Sequence, residues 1–308
     1  MRSIMETKIG KKPLPLDTLG QLPTDGLKTL KKRARSKWWT QAIVGRLLYL
    51  ESPLHKYYQS AYFCSHILTQ TGQKVTAKYC DSRICHVCNR IRTAKMMNGY
   101  VTQLQKLGAL QFVTLTIPNC NGDDLNDSVS SIIKSFSNIV RVIRERKKIA
   151  FSGIRKLEIT FNPRTGTFHP HVHALVDSDV GDLIVDEWLK RYPDAVRIAQ
   201  DVTDADKDSL NELFKYTTKI VAGRNKNVFD VFIPAIDRIM IALRGRRSFQ
   251  PFGNIKKVDE EIGDLDAVDY DIPEYDFIEW VWKECDWVNN RKTLTGYVPP
   301  DIEFNFYE

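Results

Sequence analysis

Residues 152–176 read SGIRKLEITF, then NPRTG, then TFHPHVHALV. Two runs of strand length, rich in apolar and β-branched residues, flank Asn, Pro and Gly, the residues that build turns, so the segment reads as a β-hairpin. Side chains alternate faces along a strand, which puts His169, His171 and His173 on one face and Pro170 and Val172 on the other. Same-face neighbours lie about 6.6 Å apart, and two imidazoles at that spacing can converge on one ion through bonds near ~2.1 Å. With the turn centred between Arg164 and Thr165, residues whose numbers add to 329 face one another, and Glu158 falls opposite His171. A carboxylate beside His171 and His173 suits Mg²⁺ or Mn²⁺ with positions left open for substrate. Pro170 cannot donate to a ladder, so it points to an edge strand or a bulge. The plainer reading is a polar strand face with surface histidines.

The pattern around the hairpin completes a fold class. Residues 111–117 form an apolar strand stopped by Pro118, and residues 123–148 carry Val129, Ile132, Phe136 and Ile139 at helical spacing. After the hairpin come a helix at 183–191, a strand at 195–203, an amphipathic helix at 204–221 and another helix at about 231–243. This order predicts an α+β fold in which one central antiparallel sheet carries packed helices. The expected divisions are a flexible arm (1–26), a basic helical and Cys-rich region (27–100), a central catalytic domain (101–257) and an acidic, aromatic-rich C-terminal tail (258–308). The run KKRARSK at 31–37 reads either as a phosphate grip or as a solvated helix face.

Within the helix at 204–221 lies NELFKYTTK. Glu212 and Tyr216 are four apart and share a face, and Lys219 can reach the same patch. A phenol with a pKa of about 10 is a poor nucleophile unless a cation steadies the phenolate and the target is polarised. Glu212 is placed to act as a general base for a water. Taken alone, Tyr216 among Leu210, Leu213 and Ile220 reads as a core residue.

Cysteines gather upstream: Cys64, then Cys80, Cys85 and Cys88 in KYCDSRICHVC. Four thiolates at this spacing suit a closed tetrahedral Zn²⁺ site, with His66 or His86 able to replace one, and buried reduced thiols as the alternative. Arg83, Arg90, Arg92 and Lys95 interleave or follow, as expected where a zinc module offers charge to phosphates. Cys120 and Cys285 have no partner at useful spacing.

Charge is distributed unevenly. Residues 257–308 carry 15 acids against 4 bases, whereas the preceding 256 carry 41 bases against 23 acids. A body that basic points to a polyanionic partner. The 43% hydrophobic and 27% charged content excludes a disordered chain. No apolar run nears the roughly 20 residues of a membrane span, and the N-terminus lacks the apolar core of a secretory signal. A cytoplasmic protein with no membrane partner is expected. No phosphate-cradling G-x-x-x-x-G-K-[ST] is present, so no built-in helicase is expected.

Together FVTLT, KLEIT, HPHVHALV and ELFKYTTK resemble the rolling-circle replication initiators of small plasmids and phages, within the HUH endonuclease superfamily. The similarity runs from about residue 63 to 257 and is to the single-tyrosine branch with a glutamate four residues before the tyrosine. It implies an antiparallel sheet of ferredoxin or RRM type, with His171 and His173 as the metal pair. It also implies Tyr216 as the nicking nucleophile and Glu212 as the residue that helps release the enzyme at termination. The implied reaction is a metal-dependent transesterification that leaves a 5′-phosphotyrosine and a 3′-hydroxyl primer. Origin DNA, a host helicase and polymerase, and a bacterial or archaeal host follow from the same resemblance. His169 matches the start of the family's HPH pattern without an assigned role. Two alternatives stay open: a transposase or mobilisation relaxase of the same chemistry, and a non-catalytic zinc-containing DNA-binding regulator.

Overall fold

A computed structural model describes residues 26–72, 74–214, 221–223, 227–259, 278–290 and 292–307. In chain order these form α1 (Gly26–Leu47), α2 (His55–Tyr62), β1 (Ile67–Thr71), β2 (Lys74–Ala77), α3 (His86–Gln105), β3 (Gln111–Thr116) and α4 (Leu125–Glu145). Next come β4 (Gly153–Asn162), β5 (Thr167–Val176), α5 (Gly181–Arg191), a 3-10 turn at Arg197–Ala199, β6 (Asp201–Asp204) and α6 (Lys207–Phe214). The chain continues through β7 (Val221–Gly223), β8 (Val228–Phe232), α7 (Ile233–Leu243), β9 (Phe249–Phe252), β10 (Ile278–Lys283), β11 (Asp286–Asn289), β12 (Lys292–Thr293) and β13 (Glu303–Tyr307).

The fold is α+β. Its central sheet is antiparallel, in the order β6-β3-β5-β4-β9. The hairpin β4–β5 pairs Glu158 with His171 and Thr160 with His169, the register that the turn sequence implies. That turn is closed locally. Asn162 Oδ1 accepts the Arg164 amide at 3.0 Å, and the Gly166 amide returns to the Asn162 carbonyl at 2.9 Å. Gly166 sits at φ +68°, a left-handed conformation that a residue with a Cβ adopts only at a cost of about 1–2 kcal/mol.

One face of this sheet is largely apolar: Val113, Leu115, Leu157, Ile159, Val172 and Ala174 are buried under α4, α5 and α7. Arg155, opposite Ala174, is buried among them and donates to Gln250 Oε1 at 2.9 Å. Helix α4 contributes Leu125, Val129, Ile132, Phe136, Ile139 and Ile143, a stripe at alternating steps of four and three. The opposite face is divided. At one end Phe112, Ile154 and Leu175 are covered by Tyr100 and Leu104 of α3 and Leu210, Leu213 and Phe214 of α6. The other end is polar and carries the histidines.

Pro170 does not mark an edge, because β5 is the central strand. Phe168 exchanges both backbone hydrogen bonds with Cys120 at 2.8 Å, so the Pro170 nitrogen, two residues on, faces the same neighbour. That neighbour has ended as a strand at Thr116, and the pairing resumes at Cys120 one residue out of step. Proline therefore occupies an interruption in an interior ladder, where no donor is required.

Two other expectations change. The segment 195–203 is a 3-10 turn followed by a four-residue strand, not one continuous strand. The helix expected over 204–221 is described only as Lys207–Phe214, and Val221 opens a strand.

The C-terminal region joins the body. Strands β10, β11 and β12 extend β1 and β2 into a second five-stranded sheet, and β13 lies parallel to β8 in a three-stranded one. Trp280, Trp282 and Trp287 pack with Leu30, Ala34, Leu68 and Val75 into a core of their own. Each indole N–H finds an acceptor: Gln70 Oε1 at 3.2 Å, Gln41 Oε1 at 2.6 Å and the Ser65 carbonyl at 2.9 Å, respectively. A buried tryptophan requires such a partner. No described helix is long and apolar enough to cross a membrane.

Candidate metal centre

The polar end of the divided face is built from three neighbouring strands. On β5, His171 and His173 project with Glu158 and Lys156 of β4 on one side and Thr114 and Thr116 of β3 on the other. Glu158, His171 and His173 each offer a ligand atom, and the three atoms lie within 4.8 Å of one another. Glu158 Oε2 is 3.7 Å from His173 Nε2 and 4.0 Å from His171 Nε2.

The other ring nitrogens are fixed from behind. His171 Nδ1 lies 3.1 Å from the His169 carbonyl. A carbonyl only accepts, so Nδ1 carries the proton and the lone pair falls on Nε2, the atom facing Glu158. His173 Nδ1 contacts Thr114 Oγ1 at 3.1 Å, and its ring stacks on Phe112 at 5.2 Å. Burial holds His173 in its neutral form, pushing its pKa down to about 4, with the charges of His171 and Lys156 adding to the effect. A neutral ring at His173, and outer partners that fix the orientation of both rings, are what metal ligation requires. The donor set of two imidazoles and one carboxylate fits a divalent ion of hard or borderline character.

His169 stands at the outer end of the row, outside this cluster. What it gives the pocket is its backbone oxygen. Its ring is held below the usual histidine range by burial and by His171.

Glu212 lies on the last described turn of α6, within electrostatic reach of His173, whose pKa it raises. Tyr216 and Lys219 lie outside the described residues. The residues that sequence reasoning passed over are Lys156 and Thr114. Lys156 Nζ is 3.1 Å from Glu158 Oε2 and donates to the Glu212 carbonyl at 2.8 Å. The signal was the alternation itself, since Lys156 precedes Glu158 by two and Thr114 lies midway along FVTLT.

The second cluster comprises Cys64, Cys80, Cys85 and Cys88, all four sulfurs within 4.8 Å of one another. Cys88 Sγ is 3.6 Å from both Cys64 Sγ and Cys80 Sγ. Four thiolates around one ion at about 2.3 Å would sit roughly 3.8 Å apart, whereas a disulfide would bring two to about 2.05 Å. The cluster therefore fits a metal and not a pair of bridges. Hydrogen bonds from Cys80 and Cys85 hold the Cys64 thiol low, and the same sharing, with Cys64 first, pushes Cys80 up. Among the described residues His66 and His86 stand outside this group.

The expected phosphate contacts are redistributed. Arg33 and Lys37 of the basic run are 0% and 1% exposed, so this stretch is neither a phosphate grip nor a solvated face at those positions. Lys37 Nζ donates to the Cys64 carbonyl at 2.7 Å and lies over the Trp282 ring, and Arg33 stacks on Tyr79. Arg83 turns inward to the Leu243 and Arg246 carbonyls, and Arg92 is buried against Asp81 and Asn89. Exposed cations lie nearby instead. Lys56, Arg244 and Lys257 line a cleft of about 830 Å³ between α2, the cysteine module and the end of α7.

Residues 72–180 match the family model described as a replication protein. A relative from Staphylococcus aureus named "Protein rep" is 30% identical over 183 residues, covering 51% of this chain and 78% of that protein. A protein of the same name from Streptococcus pneumoniae is 28% identical over 137 residues, or 40% of this chain and 42% of that one. A third, from Lactiplantibacillus plantarum, is 23% identical over 216 residues, spanning 60% and 66%. The chain thus matches less than half the length of one of these relatives and over three quarters of another. No solved structure is a significant match.

Proposed function

The chain belongs to the replication protein family, and from that premise we propose that it initiates rolling-circle replication of a plasmid or phage by nicking and rejoining origin DNA. The observation that carries this reading is the Glu158, His171 and His173 cluster, whose imidazoles present Nε2 while Nδ1 is engaged behind.

In this reading Glu158, His171 and His173 hold Mg²⁺ or Mn²⁺. Such an ion supplies Lewis-acid polarisation of the scissile phosphate. Tyr216 is the nucleophile. Its phenolic oxygen bonds to phosphorus, the P–O3′ bond breaks, and the departing oxygen takes a proton to become the 3′-hydroxyl primer. Lys219, three residues on, steadies the phenolate. Glu212 takes a proton from water or from an incoming hydroxyl when the phosphotyrosine is resolved. The cysteine module holds a structural Zn²⁺. The cleft of Lys56, Arg244 and Lys257 adds sequence-independent phosphate contacts, and host helicase and polymerase extend the primer. Membership in this family favours replication over the transposase and mobilisation readings.

The test is a labelled single-stranded origin oligonucleotide incubated with the full chain and Mn²⁺. A covalent protein–DNA band is expected, lost in Tyr216→Phe and in His171→Ala, with DNA affinity in both close to wild type. Tight binding by wild type with no covalent band would replace the enzyme by a zinc-containing DNA-binding regulator.

A further inference from the structure

Lys156 is 5% exposed, in the middle of a strand where its neighbours on the same face are Ile154, Glu158, Phe249 and His173, with His171 diagonally beyond. Burying an ammonium is costly unless it is paired and hydrogen-bonded, and an apolar residue of similar size would pack there at lower cost. Its retention at this depth calls for a function. The contacts name one: Nζ touches Glu158 Oε2 at 3.1 Å and the backbone carbonyl of Glu212 at 2.8 Å. The first is a metal-ligand candidate on β4. The second lies on the last described turn of α6, from which the chain runs on towards Tyr216.

We propose that Lys156 is a positioning residue that shares Glu158 with the metal and fastens α6, the helix that precedes Tyr216 in sequence, to the metal pocket. This rests on the metal-site reading above. The two roles follow from one atom in two contacts. As a fixed positive charge beside the ligand oxygen, Lys156 keeps the carboxylate aimed into the pocket, and it also repels a divalent ion approaching that oxygen. Metal affinity is thereby set below what the three ligands alone would give. As a donor to Glu212, it relays the position of β4 to α6 across the gap between sheet and helix. Among the described residues, the titratable groups near it include His173, directly opposite on β5, and His171, opposite Glu158; the Lys156 and Glu212 charges both act on His173.

The two roles make opposite demands, and that makes the proposal testable. Outer partners of metal ligands ordinarily strengthen binding, and their loss costs roughly 10–100-fold in affinity or activity. Lys156→Met should do the reverse for affinity. Mn²⁺ titrated into the full chain without DNA, followed by electron paramagnetic resonance, should show several-fold tighter binding. Nicking at saturating Mn²⁺ should fall by roughly 10–100-fold, with oligonucleotide affinity unchanged. Lys156→Arg, which keeps charge and donors, should retain wild-type Mn²⁺ affinity and recover much of the rate. If Lys156→Met does not fold, Lys156→Gln against Lys156→Arg carries the same comparison. Weaker or unchanged Mn²⁺ binding in the neutral variant, or undiminished nicking, would overturn the proposal. A wild-type chain that binds no Mn²⁺ would remove the metal-site premise instead, and the proposal with it.

Discussion

His173 shows how a single side chain is prepared for ligation. Thr114 and Phe112 fix its ring, and burial depresses its pKa to about 4. His86, half-buried beside the cysteine module, is likewise depressed to about 4 by desolvation of its ring. Both lie below the unfolded value of about 6.5, so the native state binds fewer protons than the unfolded chain between these limits. Stability is then fully present above pH ~6.5 and is lost as pH falls towards ~4, by up to about 3 kcal/mol for His173 alone. Thermal unfolding of metal-free protein across pH 4–8 should show that decline, and His173→Asn should flatten part of it. A melting temperature that is constant over the window would show that His173 titrates in the native state as it does in the unfolded chain.

At the scale of the element, the hairpin β4–β5 was legible because its turn is chemically specified. Pro163, the Asn162 side chain and Gly166 at φ +68° leave little freedom in register, so the Glu158–His171 pairing could be counted from the turn outward. Gly166→Ala should cost about 1–2 kcal/mol, read as a drop in denaturation midpoint, without a change in Mn²⁺ stoichiometry. A change in stoichiometry would mean that the turn sets the register less firmly than its chemistry implies. Other features were hidden for physical reasons. Pro170 was read as an edge strand or a bulge, and the out-of-step pairing beside it decides for the second, because one strand says nothing about where its neighbour stops. Arg33 and Lys37 were read as solvent-facing or phosphate-binding because a basic run gives no hint of a carbonyl and two aromatic rings brought in from distant segments. The net charge of the C-terminal region masked the strand alternation in IEWVWK, where Trp280 and Trp282 point inward.

For the whole molecule, the cysteine module is where separate parts of the chain meet. Lys37 of α1 donates to the carbonyl of Cys64, Trp287 of β11 donates to that of Ser65, and α3 begins next to Cys85. A metal here would brace α1, α3 and the C-terminal sheet together. Structural zinc contributes directly to folding energy. At about 2–4 °C per kcal/mol for larger domains, a loss of roughly 3 kcal/mol would lower Tm by about 10 °C. Cys88→Ser, or zinc removal by a strong chelator, should therefore lower Tm by that order and weaken the near-ultraviolet signal of the buried tryptophans. Purified protein free of zinc yet equally stable would contradict this role.

The joining of β1 to β10 also constrains how the chain is made. About two hundred residues separate Ala77 from Ile278, which at ~5–20 residues per second is roughly 10–40 s of synthesis. For that interval the nascent polypeptide exposes four thiols and an uncovered sheet edge on the ribosome. Ion capture by the cysteines can thus precede closure by the tryptophan strands, and the order of assembly is written into the order of translation.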